Sequence, residues 1–500
     1  MQKKPNILMI FSDHLRADAL GCFGSTVGAT PNIDLLAEEG VAFRHCMATQ
    51  PTCTPARASV LTGRLPSVLR TRMVGCSMPE SEKTLPAILR ENGYHTASIG
   101  KIHLRPQREE WNRVDSLGEG ETYYGFEHVD LVDGHADGCM GSGYREWLAK
   151  TTQVQEMRDV ETEFCEDVRN TKKSKVPYEG WSSVYIVQKV QEFLEQAAEE
   201  PRQPFFLHVS FPDPHPDRLS FTVPAPYDHM YDHAQIPSPL PPFSKESGMS
   251  EMYEMVRKGL FGPMDYPIGT NAADWTQYTQ ADWHRVRSRY FGLVKLLDES
   301  VGQMMKVLAD QGLKDNTIVV FLSDHGDYLG DYGLHGKGFH FDSTLRVPLI
   351  WSGVDIAKGE NLQVASTIDI LPTLLELVGC EEPTGVQGVS YAKYLKGRGD
   401  YTRTSALSEN DDDFARFRIR TLTTDRWMLN YYAKTEYVEL FDLKNDPGCT
   451  YNCGVDPRYA DILLKLKLQL LEEVICSADV INGRTQKPCK PVCKWTNPSL

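Results

Sequence analysis

The sequence lacks any apolar run approaching the 18 or so residues that a helix needs to cross a bilayer, so no membrane span is predicted. It also lacks internal repeats and low-complexity tracts, which argues against a solenoid or a disordered chain. Basic residues are not in excess. Lys and Arg number 53 against 68 Asp and Glu, a net charge of −15. A surface that acidic repels a phosphate backbone and argues against general nucleic-acid binding. A secretion signal is missing as well. The apolar stretch behind Lys3 and Lys4 runs only from Ile7 to Phe11, with no small-residue cleavage site after it, so a cytoplasmic protein is expected, or a periplasmic or secreted one if a signal has been removed.

What is present is ordinary globular composition. The 500 residues are 41% hydrophobic and 24% charged, enough for two unequal domains. Of the 12 cysteines, Cys449, Cys453, Cys476, Cys489 and Cys493 crowd the end. Without a secretion signal, free thiols are expected. The two C-x3-C pairs match the spacing of zinc knuckles poorly.

Strand and helix patterns alternate along the chain. Residues 6–11 and 94–99 read as strands, and 204–211 (PFFLHVSF) and 317–322 (TIVVFL) as strands covered on both faces. Thr30 and Pro31 open a helix that Gly40 ends, 84–92 forms another, and 184–199 and 285–311 are long amphipathic helices. This is an α/β pattern with a large, mostly parallel sheet flanked by helices. Residues 104–180 and 212–282 are long excursions rich in Pro, Gly and aromatics, read as functional loops or a subunit interface. The pattern changes near Gly379. Strands at Trp427–Tyr432 and 437–442 and a helix at 460–474 predict a smaller C-terminal α+β domain with a short antiparallel sheet. The expected division is a catalytic domain over 1–380 and a second domain over 381–500.

Three strand ends are unusually polar: Ser12-Asp13-His14, Ser323-Asp324-His325-Gly326-Asp327 and Pro212-Asp213-Pro214-His215-Pro216. Chemistry in open α/β sheets collects beyond these carboxyl ends. An acid followed by an imidazole at two separate buried strands supplies oxygen and nitrogen ligands for a divalent cation. Turn-forming accounts for any single one of these segments, but poorly for the set.

The segment Pro51-Thr52-Cys53-Thr54-Pro55-Ala56-Arg57-Ala58-Ser59-Val60-Leu61-Thr62-Gly63 has a Cys-x-Pro-x-Arg core. It resembles the signature of the type I, formylglycine-dependent sulfatases of the alkaline phosphatase-like superfamily. Gly100-Lys101-Ile102-His103, Gly336-Lys337-Gly338 and the late Leu440-Phe441-Asp442-Leu443 stretch recur in the order that family shows, so the resemblance spans nearly the whole chain.

The resemblance implies that a formylglycine-generating enzyme oxidises Cys53 to Cα-formylglycine, which hydrates to a gem-diol. One oxygen attacks sulfur, and the other expels sulfate as the aldehyde re-forms. Asp13, Asp324 and His325, with an oxygen of the modified Cys53, are then metal ligands. His14 departs from the Asp-Asp pair of many members and is read as a ligand or a substrate support. Ca2+ is favoured, with Mn2+ or Mg2+ open. Arg57 and Lys101 neutralise the nucleophile and a sulfate oxygen, and His103 orients or deprotonates the diol. His215 protonates the leaving oxygen, and Lys337 holds sulfate. Pro55 is read as the first residue of a helix whose N-terminus favours an anion.

The function implied is hydrolysis of a small anionic sulfate monoester. A phosphonate monoester or phosphodiester hydrolase shares the Cys-x-Pro-x-Arg core and the Asp-His pair and is the alternative; a non-catalytic binding protein is a remote one. Trp111, Tyr123, Tyr124, Trp147, Trp181, Trp275 and Trp283 lie in the excursions, where they either stack on sugar rings or pack the loops down. A sulfated mono- or oligosaccharide is the preferred substrate class. Residues 41–110 hold ten Lys or Arg against five Asp or Glu, which reads as an attracting field or a salt-bridged surface. Arg416, Arg418 and Arg420 alternate along an expected strand and are read first as a solvated face. A homo-oligomer is possible.

Overall fold

In β1 (Asn6–Ser12) every residue is buried, and its side chains alternate between two cores. Leu8 and Ile10 point into one, Ile7, Met9 and Phe11 into the other. A strand covered on both faces carries no polar side, which is why its sequence reads as an unbroken apolar run. The computed structural model describes residues 4–106, 120–132, 134, 142–152, 163–164, 171–174, 176–216, 221–260, 274–411 and 418–478. Trp111, Arg416, Cys489 and Cys493 lie outside them.

The other strands of the main sheet are β2 (Val41–Met47), β3 (His95–Gly100), β4 (His128–Leu131), β5 (Phe205–Ser210), β6 (Thr317–Ser323), β7 (Arg346–Val347), β8 (Leu349–Gly353) and β9 (Gly359–Ser366). Among the described residues they run in the order β7-β2-β8-β6-β1-β5-β3-β4, with β9 beside β2. The stretch β6-β1-β5-β3-β4 is parallel throughout, and β8 is antiparallel to both β6 and β2. Ser12 pairs with Ser323, and Phe11 and Gly100 both pair with Ser210. Four polar strand ends therefore leave the sheet side by side.

Helices α1 (Pro31–Glu38), α4 (Ser182–Glu199) and α5 (Gln280–Asp310) cover one face. Helices α2 (Cys53–Thr62), α3 (Leu85–Glu91) and α6 (Ile370–Val378) cover the other. Helix α5 begins at Gln280, earlier than its apolar periodicity predicts, because Thr279 and Asp282 form a capping box ahead of the apolar face. No helix of the described residues is long and apolar enough to cross a membrane. The two excursions meet in a small sheet, where Thr171–Lys173 pairs with both Glu163–Phe164 and Phe221–Val223.

Strands β10 (Ala406–Asn410), β11 (Ile419–Thr423), β12 (Trp427–Tyr432) and β13 (Val438–Asp442) form an antiparallel sheet, followed by helix α7 (Ala460–Ala478). Together these are the expected α/β architecture with a small C-terminal antiparallel sheet. Cys449 and Cys453 are buried free thiols in separate apolar clusters.

Candidate active site

Asp13 and Asp324 leave the ends of β1 and β6, and the Asp324 amide donates to Ser12 O at 3.3 Å. Asp324 Oδ1 accepts from the amides of His14 (3.2 Å) and His325 (2.9 Å), which ties the two turns together. His14 (φ 62°) and His103 (φ 53°) sit in the left-handed region, where a non-glycine residue is held only by its surroundings. At the end of β3, a Cβ on Gly100 would lie 1.9 Å from Ser210 O. Only glycine lets Lys101 leave the sheet there, its amide bonded to Ser210 O at 2.8 Å.

Cys53 is the first residue of α2, behind Thr52 in extended conformation. Pro55 is thus the third helical residue and not the first. The missing N–H costs nothing there, because the amides of a first turn have no intrahelical partner. Cys53 Sγ lies 2.8 Å from Lys337 Nζ, 3.3 Å from His325 Nε2 and 3.5 Å from Asp13 Oδ1. Burial, and then the Asp13 charge, push the thiol up to about 11. The sulfur is protonated at neutral pH and is a poor nucleophile as it stands.

Asp13, His14, Cys53 and His325 offer ligand atoms that all lie within 4.8 Å of one another, and all four residues are buried. His325 Nδ1 is bonded to Gly326 O (2.8 Å) and His14 Nδ1 to Asp327 Oδ2 (2.9 Å), so both rings turn Nε2 inward. This is how metal-binding imidazoles are usually held. Burial, reinforced by Lys337, keeps both well below the ordinary histidine range, in the neutral form a metal needs. Lys337 Nζ sits 2.6 Å from His14 Nε2 and 3.0 Å from His325 Nε2, so a positive charge already occupies the focus of these acceptors. His14 Nε2 therefore belongs to the same buried cluster of possible ligand atoms as Asp13 and His325. Asp327, to which the sequence alone assigns no role, orients the His14 ring through its bond to Nδ1.

Asp324 faces Arg57, whose Nε donates to Oδ2 at 2.8 Å. Arg57 also bonds Lys101 O (3.0 Å) and Ser210 Oγ (2.8 Å), and its guanidinium lies 3.5 Å from Asp13 Oδ2 and over the Phe11 ring. Lys101 Nζ is 2.5 Å from Asp13 Oδ2. Burial alone would raise the Asp13 carboxyl, but Lys101, His215, Arg57 and His14 hold it well below the usual range. Asp324 is raised, by burial and by the Asp13 charge. The His103 Nδ1 is buried without a hydrogen-bond partner. The ring of His215 packs on that of His14 at 4.2 Å, with Nδ1 bonded to Pro216 O. Asp13, His14, Cys53, Arg57, Lys101, His103, His215, Asp324, His325 and Lys337 thus border one site.

Other expectations change. Trp181, Trp275, Trp283 and Tyr123 are buried, and Tyr124 and Trp147 partly so. They pack the excursions down; Trp275, for example, stacks on His335. In residues 41–110, Arg44, Arg64, Arg72, Lys83 and Arg105 pair with Glu360, Glu82, Asp411, Glu91 and Glu80. That local excess is largely a salt-bridged surface, and Arg57 and Lys101 are its contribution to the site. Arg420 is held by Asp411 and Glu409, and Arg418 is exposed before β11 begins.

The family model described as Sulfatase matches residues 5–380. The chain belongs to the sulfatase family. A second model, N-sulphoglucosamine sulphohydrolase, C-terminal, matches residues 330–475 and so includes the Lys337 loop together with the C-terminal sheet. The chain is 27% identical over 497 residues to an arylsulfatase of Clostridium perfringens, with 94% of each chain covered. It is 24% identical over 525 residues to an N-acetylglucosamine-6-O-sulfatase of Bacteroides thetaiotaomicron, covering 94% of this chain and 86% of that one. A phosphonate monoester hydrolase of Agrobacterium radiobacter shares the fold, with a TM-score of 0.77, 23% identity and 95% and 96% of the two chains covered. The protein is a sulfuric ester hydrolase of alkaline phosphatase-like fold.

In this sulfatase the C-terminal sheet grips the Lys337 loop. Asn410 Nδ2 donates to Gly338 O (2.5 Å) and Asn430 Nδ2 to His340 O (2.8 Å). Asn430 is in turn held by buried Glu439, which also accepts from Tyr253, Tyr432 and Tyr437. Asn410→Ala is expected to lower kcat about 10–100-fold with little change in KM, because it loosens a positioned charge without removing it. Lys337→Ala is expected to lower kcat about 10²–10³-fold in a protein that still unfolds at the wild-type temperature. Steady-state kinetics beside a thermal melt check both.

Proposed function

We propose that this sulfatase cleaves the sulfate monoester of a small sulfated mono- or oligosaccharide, using formylglycine made from Cys53 by a formylglycine-generating enzyme. The observation that carries the proposal is the position of residue 53. It lies at a helix N-terminus 2.8 Å from Lys337, with Asp13 and His325 on its other sides. An aldehyde hydrate there supplies an oxygen nucleophile with its own route for releasing sulfate. Lys337 and Lys101 hold the sulfate oxygens, and Arg57 fixes Asp324 and balances the charge behind residue 53. Neutral His103 takes a proton from the nucleophile, and His215 returns one to the leaving oxygen. The carbohydrate class rests on the 24% identical N-acetylglucosamine-6-O-sulfatase, since Trp181, Trp275, Trp283 and Tyr123 are buried in loop packing.

Asp13, His14, Asp324 and His325 would hold a divalent metal together with an oxygen of residue 53, Asp324 Oδ1 lying 3.7 Å from His325 Nε2. Such an ion would polarise the sulfate ester. The donor set includes two imidazole nitrogens. Ca2+ prefers all-oxygen cages, so this set favours Mn2+ over the Ca2+ that the resemblance alone implied. Dialysis against a chelator is expected to abolish turnover, and Mn2+ to restore more of it than Ca2+. Elemental analysis of the purified protein gives the occupant independently.

The reaction class is tested with matched nitrophenyl esters: a sulfate monoester, a phosphodiester and a phosphonate monoester. The expected result is dominant sulfate cleavage. Dominant phosphodiester or phosphonate cleavage would overturn the proposal in favour of the other hydrolase class.

A further inference from the structure

Helix α7 carries two apolar faces. Leu466 and Leu470 are buried against the C-terminal sheet, with Val474 partly buried beside them. On the opposite side Leu464, Leu468, Leu471 and Ile475 remain 59%, 55%, 54% and 60% exposed. At about 100° per residue these four fall within roughly 60° of one another, in a single stripe along the helix. Their spacing of four, three and four residues is that of a coiled-coil seam, not of scattered surface leucines.

We infer that this stripe is a self-association surface through which two copies of the chain pair, α7 against α7 and antiparallel. A two-fold axis near the middle of the stripe sets Leu468 on Leu471 of the second copy, and Leu464 on its Ile475. The charges bordering the seam fit this arrangement. Lys465 and Glu472 are both exposed on the same flank. Antiparallel pairing brings Lys465 of each copy opposite Glu472 of the other, and the symmetry makes the contact twice. A parallel pairing would draw instead on Lys467, which is half-buried on the far flank. Four apolar side chains per helix make a small interface, so association depends on concentration. The stripe lies on an element that contributes nothing to the catalytic site, and pairing leaves turnover unchanged.

Sedimentation equilibrium of the full chain, from low to high micromolar concentration, tests the assignment. The wild-type protein is expected to pass from monomer to dimer. Leu468→Glu/Leu471→Glu should remain monomeric at every concentration, with wild-type melting temperature and sulfate-ester turnover. Lys465→Glu should weaken the dimer about tenfold, and Lys465→Glu/Glu472→Lys should restore it. A wild-type protein that stays monomeric, or a dimer that survives Leu468→Glu/Leu471→Glu, overturns the inference. Loss of the dimer in the apolar variant without rescue in the charge swap overturns the antiparallel pairing.

Discussion

Cys53→Ala is expected to lower sulfate-ester turnover by about 10⁴–10⁶-fold and to leave the protein folded. Residue 53 sits where Asp13, His325 and Lys337 converge, and no other nucleophile among the described residues joins them there. The change removes one sulfur atom from a site whose neighbours already pair with each other. Lys101 holds Asp13, Gly326 O holds His325, and His14 holds Lys337. The fold therefore has little to lose. Cys53→Ser is the sharper variant. A serine oxygen can accept sulfate but has no second oxygen with which to expel it, so at most one turnover per site is expected. Burst and steady-state kinetics separate the two variants, and circular dichroism confirms that both are folded.

Arg57→Ala is the opposite case, a change that costs structure and activity together. The buried guanidinium is the common partner of Asp324, Ser210 and the Lys101 carbonyl, and its charge lies 3.5 Å from Asp13. Truncation leaves a buried carboxylate without its partner, which typically costs about 3–5 kcal/mol. The unfolding midpoint should fall accordingly in denaturant titrations, and turnover should fall below measurement. Arg57→Lys keeps the charge but loses the planar fork. It is expected to recover part of the stability and little of the activity.

Much of this site is legible in the sequence for a physical reason. Strands buried on both faces must be apolar throughout, so the ends of β1, β5 and β6 stand out as abrupt changes to Asp, His and Pro. Other elements carry weaker signals. Strand β2 has partly exposed Arg44 and His45 in its middle, and β9 has four exposed residues among its eight, so neither reads as a core strand. The antiparallel insertion of β8 has no local signature at all. The supports of the site were hidden for a similar reason. Asn410 and Asn430 are ordinary polar residues in short strands, and their partners Gly338 and His340 are 72 and 90 residues away. Only the packing of one sheet on one loop brings them together. The aromatics of the excursions were ambiguous because a tryptophan that anchors a loop and one that stacks on a sugar have the same sequence context.

The proposed reactive group, a formylglycine made from Cys53, is tested by relating the chemical state of residue 53 to turnover. Protein prepared with graded amounts of formylglycine-generating enzyme is digested, and the fraction of aldehyde in the peptide containing residue 53 is read by mass spectrometry. Turnover of the sulfate ester is measured on the same samples. Activity is expected to rise in proportion to the aldehyde fraction and to extrapolate to zero with the thiol. Full activity in samples where residue 53 is still a thiol, or in Cys53→Ala, would contradict the proposal.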